Sequence, residues 1–192
     1  MPPALILIDL QRAIEDPAWA RDGERNNPEA EANVGRLLAH WRAAAWPIVH
    51  IRHDSREPGS TYRPGQPLHD FQPATAPRPG ETVLGKTTGS AFLSTDLAAR
   101  VHGLPLVIAG VITNNSVEST VRSAGDLGFA VTLAHDACYT FGRRDWRGVA
   151  RTASEVHAMS LSNLDGEYCR VLSTSEILCD AETSYPLSPC PP

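Results

Sequence analysis

The stretch Leu106-Val-Ile-Ala-Gly-Val-Ile-Thr-Asn-Asn-Ser116-Val-Glu-Ser-Thr-Val-Arg-Ser-Ala-Gly-Asp-Leu-Gly128 runs from an apolar strand through a polar turn into a helix. A side chain at such a turn is lifted off the carboxyl edge of a parallel sheet, beside the unpaired N–H groups that open a helix. Ser116 occupies that place, where a nucleophile belongs.

Outward from this segment the chain repeats the pattern. Short apolar runs predict strands near 4–9, 47–51, 82–85, 105–110, 130–135 and 168–172, with helices between them at 28–45, 94–102, 116–128, 147–162 and 174–180. The helix after Pro28 keeps Val34, Leu37, Leu38 and Trp41 on one stripe. Alternation of this kind specifies an α/β fold: a three-layer, doubly wound (Rossmann-like) sheet of about six mostly parallel strands with helices on both faces. At 192 residues and 42% hydrophobic the chain suits one domain. Its expected extent is residues 1–180, followed by a Pro-rich tail over 181–192 with no apolar period, expected to be disordered or ordered only against another subunit. Residues 54–80 hold six prolines and few aliphatics, which predicts a long loop serving as a lid or subunit contact.

Two charged residues give Ser116 its context. Asp9 ends the first apolar run, and Lys86 follows the run Thr82-Val-Leu-Gly85. Lys86 is the only lysine in the chain, all other basic residues being arginine. A compact ammonium on a flexible stem can lie against a carboxylate and a nucleophile, as a planar guanidinium cannot.

Asp9 after the first strand, Lys86-Thr-Thr-Gly-Ser-Ala-Phe92, and Gly110-Val-Ile-Thr-Asn-Asn-Ser-Val-Glu-Ser-Thr-Val-Arg122 together resemble the isochorismatase-like cysteine hydrolases, over residues 4 to about 178. That resemblance implies an Asp, Lys, Cys triad and hydrolysis of small amides or carbamoyl compounds. This chain carries Ser116 at the Cys position. The resemblance also implies a non-proline cis peptide, here Val111–Ile112, and an oxyanion hole built from the Ile112 and Ser116 N–H groups. A simple helix N-cap at Thr113-Asn-Asn115 is the plainer reading of the same turn.

The serine changes the expected chemistry. A carboxylate beside an ammonium takes a proton readily from a thiol, whose pKa lies near about 8.5, but poorly from an aliphatic alcohol. The histidines supply no obvious alternative base: His53 and His135 fall near strand ends, and His40, His102 and His157 on or beside helices. Ser116 therefore reads in three ways: as a weak or substrate-assisted nucleophile, as a binding residue in a site run by Asp9, or as a residue introduced in place of Cys. The second corresponds to members that resemble isochorismatase itself, which use the Asp as a general acid on a vinyl ether. A non-catalytic small-molecule binder is the opposing class.

Trp19, His53, Phe92 and Tyr139 are expected to bind substrate, with Phe141 near them, and Arg52 or Arg56 could meet a substrate carboxylate. His50, His53, Asp54, His69 and Asp70 invite a metal, but metal-bearing relatives carry Asp-x-His where this chain reads Arg52-His-Asp54. No metal or other cofactor is expected. Cys138, Cys169, Cys179 and Cys190 form no CxxC pair and read as free thiols, Cys138 being a candidate displaced nucleophile.

The net charge of −5 and scattered arginines argue against a nucleic-acid partner. No apolar run reaches the length of a membrane span, and no signal peptide is evident. The expectation is a cytoplasmic homodimer or higher homo-oligomer whose partner is a small-molecule substrate.

Overall fold

A computed structural model describes residues 1–185. Six strands form one sheet: β1 Ala4–Ile8, β2 Ile48–His53, β3 Thr82–Lys86, β4 Leu106–Val111, β5 Val131–Tyr139 and β8 Arg170–Leu172. Their order is β3-β2-β1-β4-β5-β8, and every pairing is parallel. The remaining two strands, β6 Arg143–Arg144 and β7 Ala150–Arg151, make a separate hairpin. Among the described residues there are five α-helices: α1 Ala30–Ala43, α2 Leu97–Arg100, α3 Glu118–Asp126, α4 Ala153–Ser162 and α5 Thr174–Ser184. This is the doubly wound α/β architecture expected from the alternation of apolar runs and helical segments.

The central strands β1 and β4 are buried along their whole length, as strands covered on both faces must be. Val34, Leu37, Leu38 and Trp41 form the buried stripe of α1, and Trp41 donates its indole N–H to Pro3 O at 2.9 Å. From β1 the chain winds outward through β2 to β3, then returns to β4 on the other side. The order thus reverses between β1 and β4, and the crevice beyond their carboxyl ends is where doubly wound sheets hold ligands.

Gly110 secures that junction. Its φ of +128° lies in a region closed to most side chains, and a Cβ built there would stand 2.2 Å from Ile8 O. The β4–β5 register also shifts between Ile108 and Gly110. We expect Gly110→Ala to destabilise the fold by about 3 kcal/mol or more, read as a lowered urea midpoint. An unchanged midpoint would show that β1 and β4 can move apart here.

Several element boundaries differ from those expected. The helix anticipated over 94–102 is a single turn, α2. The one anticipated over 147–162 begins only at Ala153, where Thr152 and Glu155 form a reciprocal capping box; the preceding residues belong to the hairpin. The tail is not wholly irregular: α5 runs on to Ser184, and Tyr185 packs edge-on against Trp46 at 5.5 Å. The remainder of the expected tail lies outside the described residues. Within 54–80, Pro73–Thr75 forms a 3-10 turn and Tyr62 is buried. No helix among the described residues is long and apolar enough to cross a membrane.

Candidate active site

Asp9, Lys86 and Ser116 are far apart in sequence and touch in space. Asp9 follows β1 with φ +52°, a left-handed conformation that Asp tolerates better than most residues. Its N–H donates to Ile51 O at 2.9 Å. Lys86 is the last residue of β3 and is completely buried. Ser116 lies in a single π-helical turn, Thr113–Val117, between β4 and α3. Lys86 Nζ donates to Asp9 Oδ2 at 2.8 Å, to Ser116 Oγ at 3.1 Å and to Thr88 O at 3.1 Å. The Val111–Ile112 peptide preceding the turn is cis.

Burial alters the acid–base character of this trio from the one anticipated. It pushes the Asp9 carboxyl above its ordinary range, against the opposing pull of the Lys86 ammonium and its hydrogen bond. Asp9 Oδ1 is buried without a hydrogen-bond partner. Asp9 is therefore a stronger base than a solvated carboxylate.

His53 also stands beside the trio. It ends β2 directly beside Lys86 in the β2–β3 register, and its Nδ1 lies 3.4 Å from Lys86 Nζ. Gln11 clamps its backbone, accepting from His53 N–H at 2.7 Å and donating to His53 O at 3.2 Å. Desolvation and then the Lys86 charge lower its pKa, so the ring is neutral at pH 7.

A chamber of about 270 Å³ stands over these groups, lined by Asp9, Ile14, Trp19, His53, Tyr62, Thr88, Ile112, Asn115 and Ser116 among others. It shares Trp19, Ser60, Tyr62, Ile112 and Asn115 with an outer cleft of about 610 Å³, whose further walls include Arg21, Asn114, Phe141 and Arg143. Trp19 stacks on Phe141 at 6.1 Å between centroids and meets Tyr62 edge-on at the same spacing.

Of the expected substrate-binding residues, Trp19 and His53 line the chamber and Phe141 the cleft. Phe92 packs on Phe129 at 5.5 Å, away from both, because its loop turns toward α3. Tyr139 is buried within the end of β5, beneath the Arg25 guanidinium at 4.2 Å. Arg52 is committed to Asp54, which also meets His69. His50 is held by Glu81, and among the described residues no three His, Cys, Asp or Glu side chains are grouped to hold a metal ion. Cys138 is not at the site: it is buried in β5 opposite Gly110, and burial pushes its thiol up to about 12.

The Thr113-Asn-Asn115 turn does not cap α3 through a side chain. Thr113 Oγ1 lies 2.8 Å from His157 Nδ1 instead, and Ser160 Oγ lies 2.6 Å from Glu118 Oε2 and 3.2 Å from Thr113 O. Helix α4 thus braces the turn that carries Ser116. Tyr62, Asn115 and Thr88 were not singled out from sequence. Asn115 adjoins Ser116 and could have been; Tyr62 sits in an aperiodic loop and carries no such signal.

A doubly wound sheet with a buried Asp–Lys pair and a hydroxyl at the switch point is the arrangement of the isochorismatase-like hydrolases. Residues 3–176 match the isochorismatase domain, and the chain belongs to the isochorismatase family. The uncharacterised family member YrdC of Bacillus subtilis is 34% identical over 180 residues, covering 92% of this chain and 95% of that one. Streptothricin hydrolase of Streptomyces noursei is 33% identical over 144 residues, which are 72% of this chain and half of that protein. The crystal structure of an isochorismatase-family protein from Chromobacterium violaceum is 57% identical, with a TM-score of 0.90 over 95% of this chain and 94% of its own.

Proposed function

We propose that this hydrolase cleaves the C–N bond of a small amide or carbamoyl compound, with Ser116 as nucleophile, Asp9 as proton acceptor and Lys86 as their electrostatic partner. The observation that carries this reading is the contact of Lys86 Nζ with both Asp9 Oδ2 and Ser116 Oγ inside one small chamber. The raised Asp9 pKa narrows the gap between the carboxylate and the serine hydroxyl, which was the chemical objection to a serine here. Ser116 attacks the carbonyl carbon, its proton passes to Asp9, and the Ile112 and Ser116 N–H groups receive the developing oxyanion.

The test compares the parent with Ser116→Ala and Ser116→Cys across a panel of small amides. We expect the Ala variant to lose about 100-fold or more in kcat/KM. The Cys variant should exceed the parent on activated amides and alone be alkylated by iodoacetamide at this position. Equal rates for parent and Ala variant would remove Ser116 as nucleophile.

A second reading has its own observation. A buried carboxyl with a raised pKa and an unpartnered oxygen is suited to deliver a proton, as hydrolysis of a vinyl ether by Asp9 requires. Equal rates for the parent and Ser116→Ala, with loss of activity in Asp9→Asn, would select it.

A further inference from the structure

His53 has no place in an Asp/Lys/nucleophile trio, yet it stands within it. Lys86 Nζ faces four acceptors: Asp9 Oδ2 at 2.8 Å, Thr88 O and Ser116 Oγ at 3.1 Å, and His53 Nδ1 at 3.4 Å. An ammonium has three protons, so Ser116 and His53 compete for one. Once Ser116 Oγ has bonded to the carbonyl carbon it is a poorer acceptor, and the proton is free to turn to His53. With Nδ1 accepting, the ring carries its hydrogen on Nε2. Nε2 has no partner among the described residues and is not among the buried orphaned atoms, so it is open on the chamber wall that His53 forms.

We propose that His53 is a catalytic proton carrier linking Lys86 to the substrate, giving a proton to the leaving amine and then taking one from the hydrolytic water. This rests on the Ser116 reading above. In the first half, Ser116 Oγ bonds to the carbonyl carbon and its proton goes to Asp9. As the C–N bond breaks, the nitrogen takes the Nε2 proton, His53 Nδ1 takes one from Lys86, and Lys86 is refilled from Asp9. The amine leaves neutral, and His53 is left as the opposite tautomer with Nε2 unprotonated. In the second half a water attacks the acyl carbon and gives its proton to Nε2. The Nδ1 proton returns to Lys86, a Lys86 proton passes to Asp9, and Asp9 protonates Ser116 Oγ as the ester bond breaks.

A neutral ring is required throughout. Burial and Lys86 lower the His53 pKa against the pull of Asp9 and Asp54, His69 adds to the lowering, and the Tyr62 ring packs edge-on at 5.7 Å.

The experiment uses p-nitrophenyl acetate, whose phenolate leaves without a proton, and p-nitroacetanilide, whose amine needs one. Both deliver the same acetyl group. In His53→Gln we expect the initial p-nitrophenolate burst at the parental rate and amplitude, the amplitude counting folded, competent sites. Turnover after the burst and cleavage of the anilide should each fall by about 100-fold or more. An equal fall in burst and anilide rates would assign His53 a structural role and overturn the relay, as would an unchanged anilide rate. If Ser116→Ala cleaves both substrates at the parental rate, Ser116 itself fails as nucleophile and the relay with it.

Discussion

Asp9→Asn should lower kcat/KM for amides by about 1,000-fold while leaving KM within a few-fold of the parent. The amide keeps the shape of the carboxyl and can still accept from Lys86, so the chamber persists. What disappears is the group that takes the Ser116 proton, a role usually worth about 10²–10⁴ in rate. Steady-state kinetics on the best substrate of the panel decide the matter. Retention of more than a tenth of the parental rate would mean that the Ser116 proton leaves by another route, for which the structure offers Lys86 and, beyond it, His53.

Lys86→Met should destabilise the protein by about 3–5 kcal/mol near neutral pH, because it leaves a buried carboxylate without its counter-charge. The deficit should shrink as pH falls. The Lys86 ammonium is the largest influence holding the Asp9 pKa down against burial, so its removal lets that pKa rise further. A group whose folded pKa exceeds its unfolded value of 3.8 favours the folded state while protonated, and that contribution is lost as pH rises through the folded pKa. Urea unfolding at pH 5 and pH 8 should therefore show a larger gap between parent and variant at the higher pH. A pH-independent gap would indicate that the loss is one of packing alone.

The site was legible in sequence to the extent that strand ends were. Asp9 and Lys86 stand out because each charge terminates a short apolar run, and Ser116 because a polar turn follows one; sheet topology does the rest. The hairpin β6–β7 was hidden because Arg143–Arg144 and Ala150–Arg151 are two-residue strands without apolar alternation. Tyr62 was hidden for a related reason: a loop residue buried by the fold leaves no periodic trace. His53 was visible at a strand end, but its contact with Lys86 depends on β2 pairing with β3 in one register. The upward push on the Asp9 pKa was not legible, because desolvation is a property of the assembled chamber and not of neighbouring residues in the chain.

The chamber and the outer cleft share much of their lining, and the cleft adds one further segment. All lining residues of the chamber lie between Asp9 and Ser116, whereas the cleft adds Thr140–Arg143 at the exit of β5. Those four residues are thus a stretch of the cleft wall remote in sequence from every group of the chamber. We expect substitutions there to alter which molecules the outer cleft admits while the chamber lining stays as it is. His157, further along the chain, tolerates no such freedom, because its loss would remove the brace on Thr113 and loosen the turn that presents the serine.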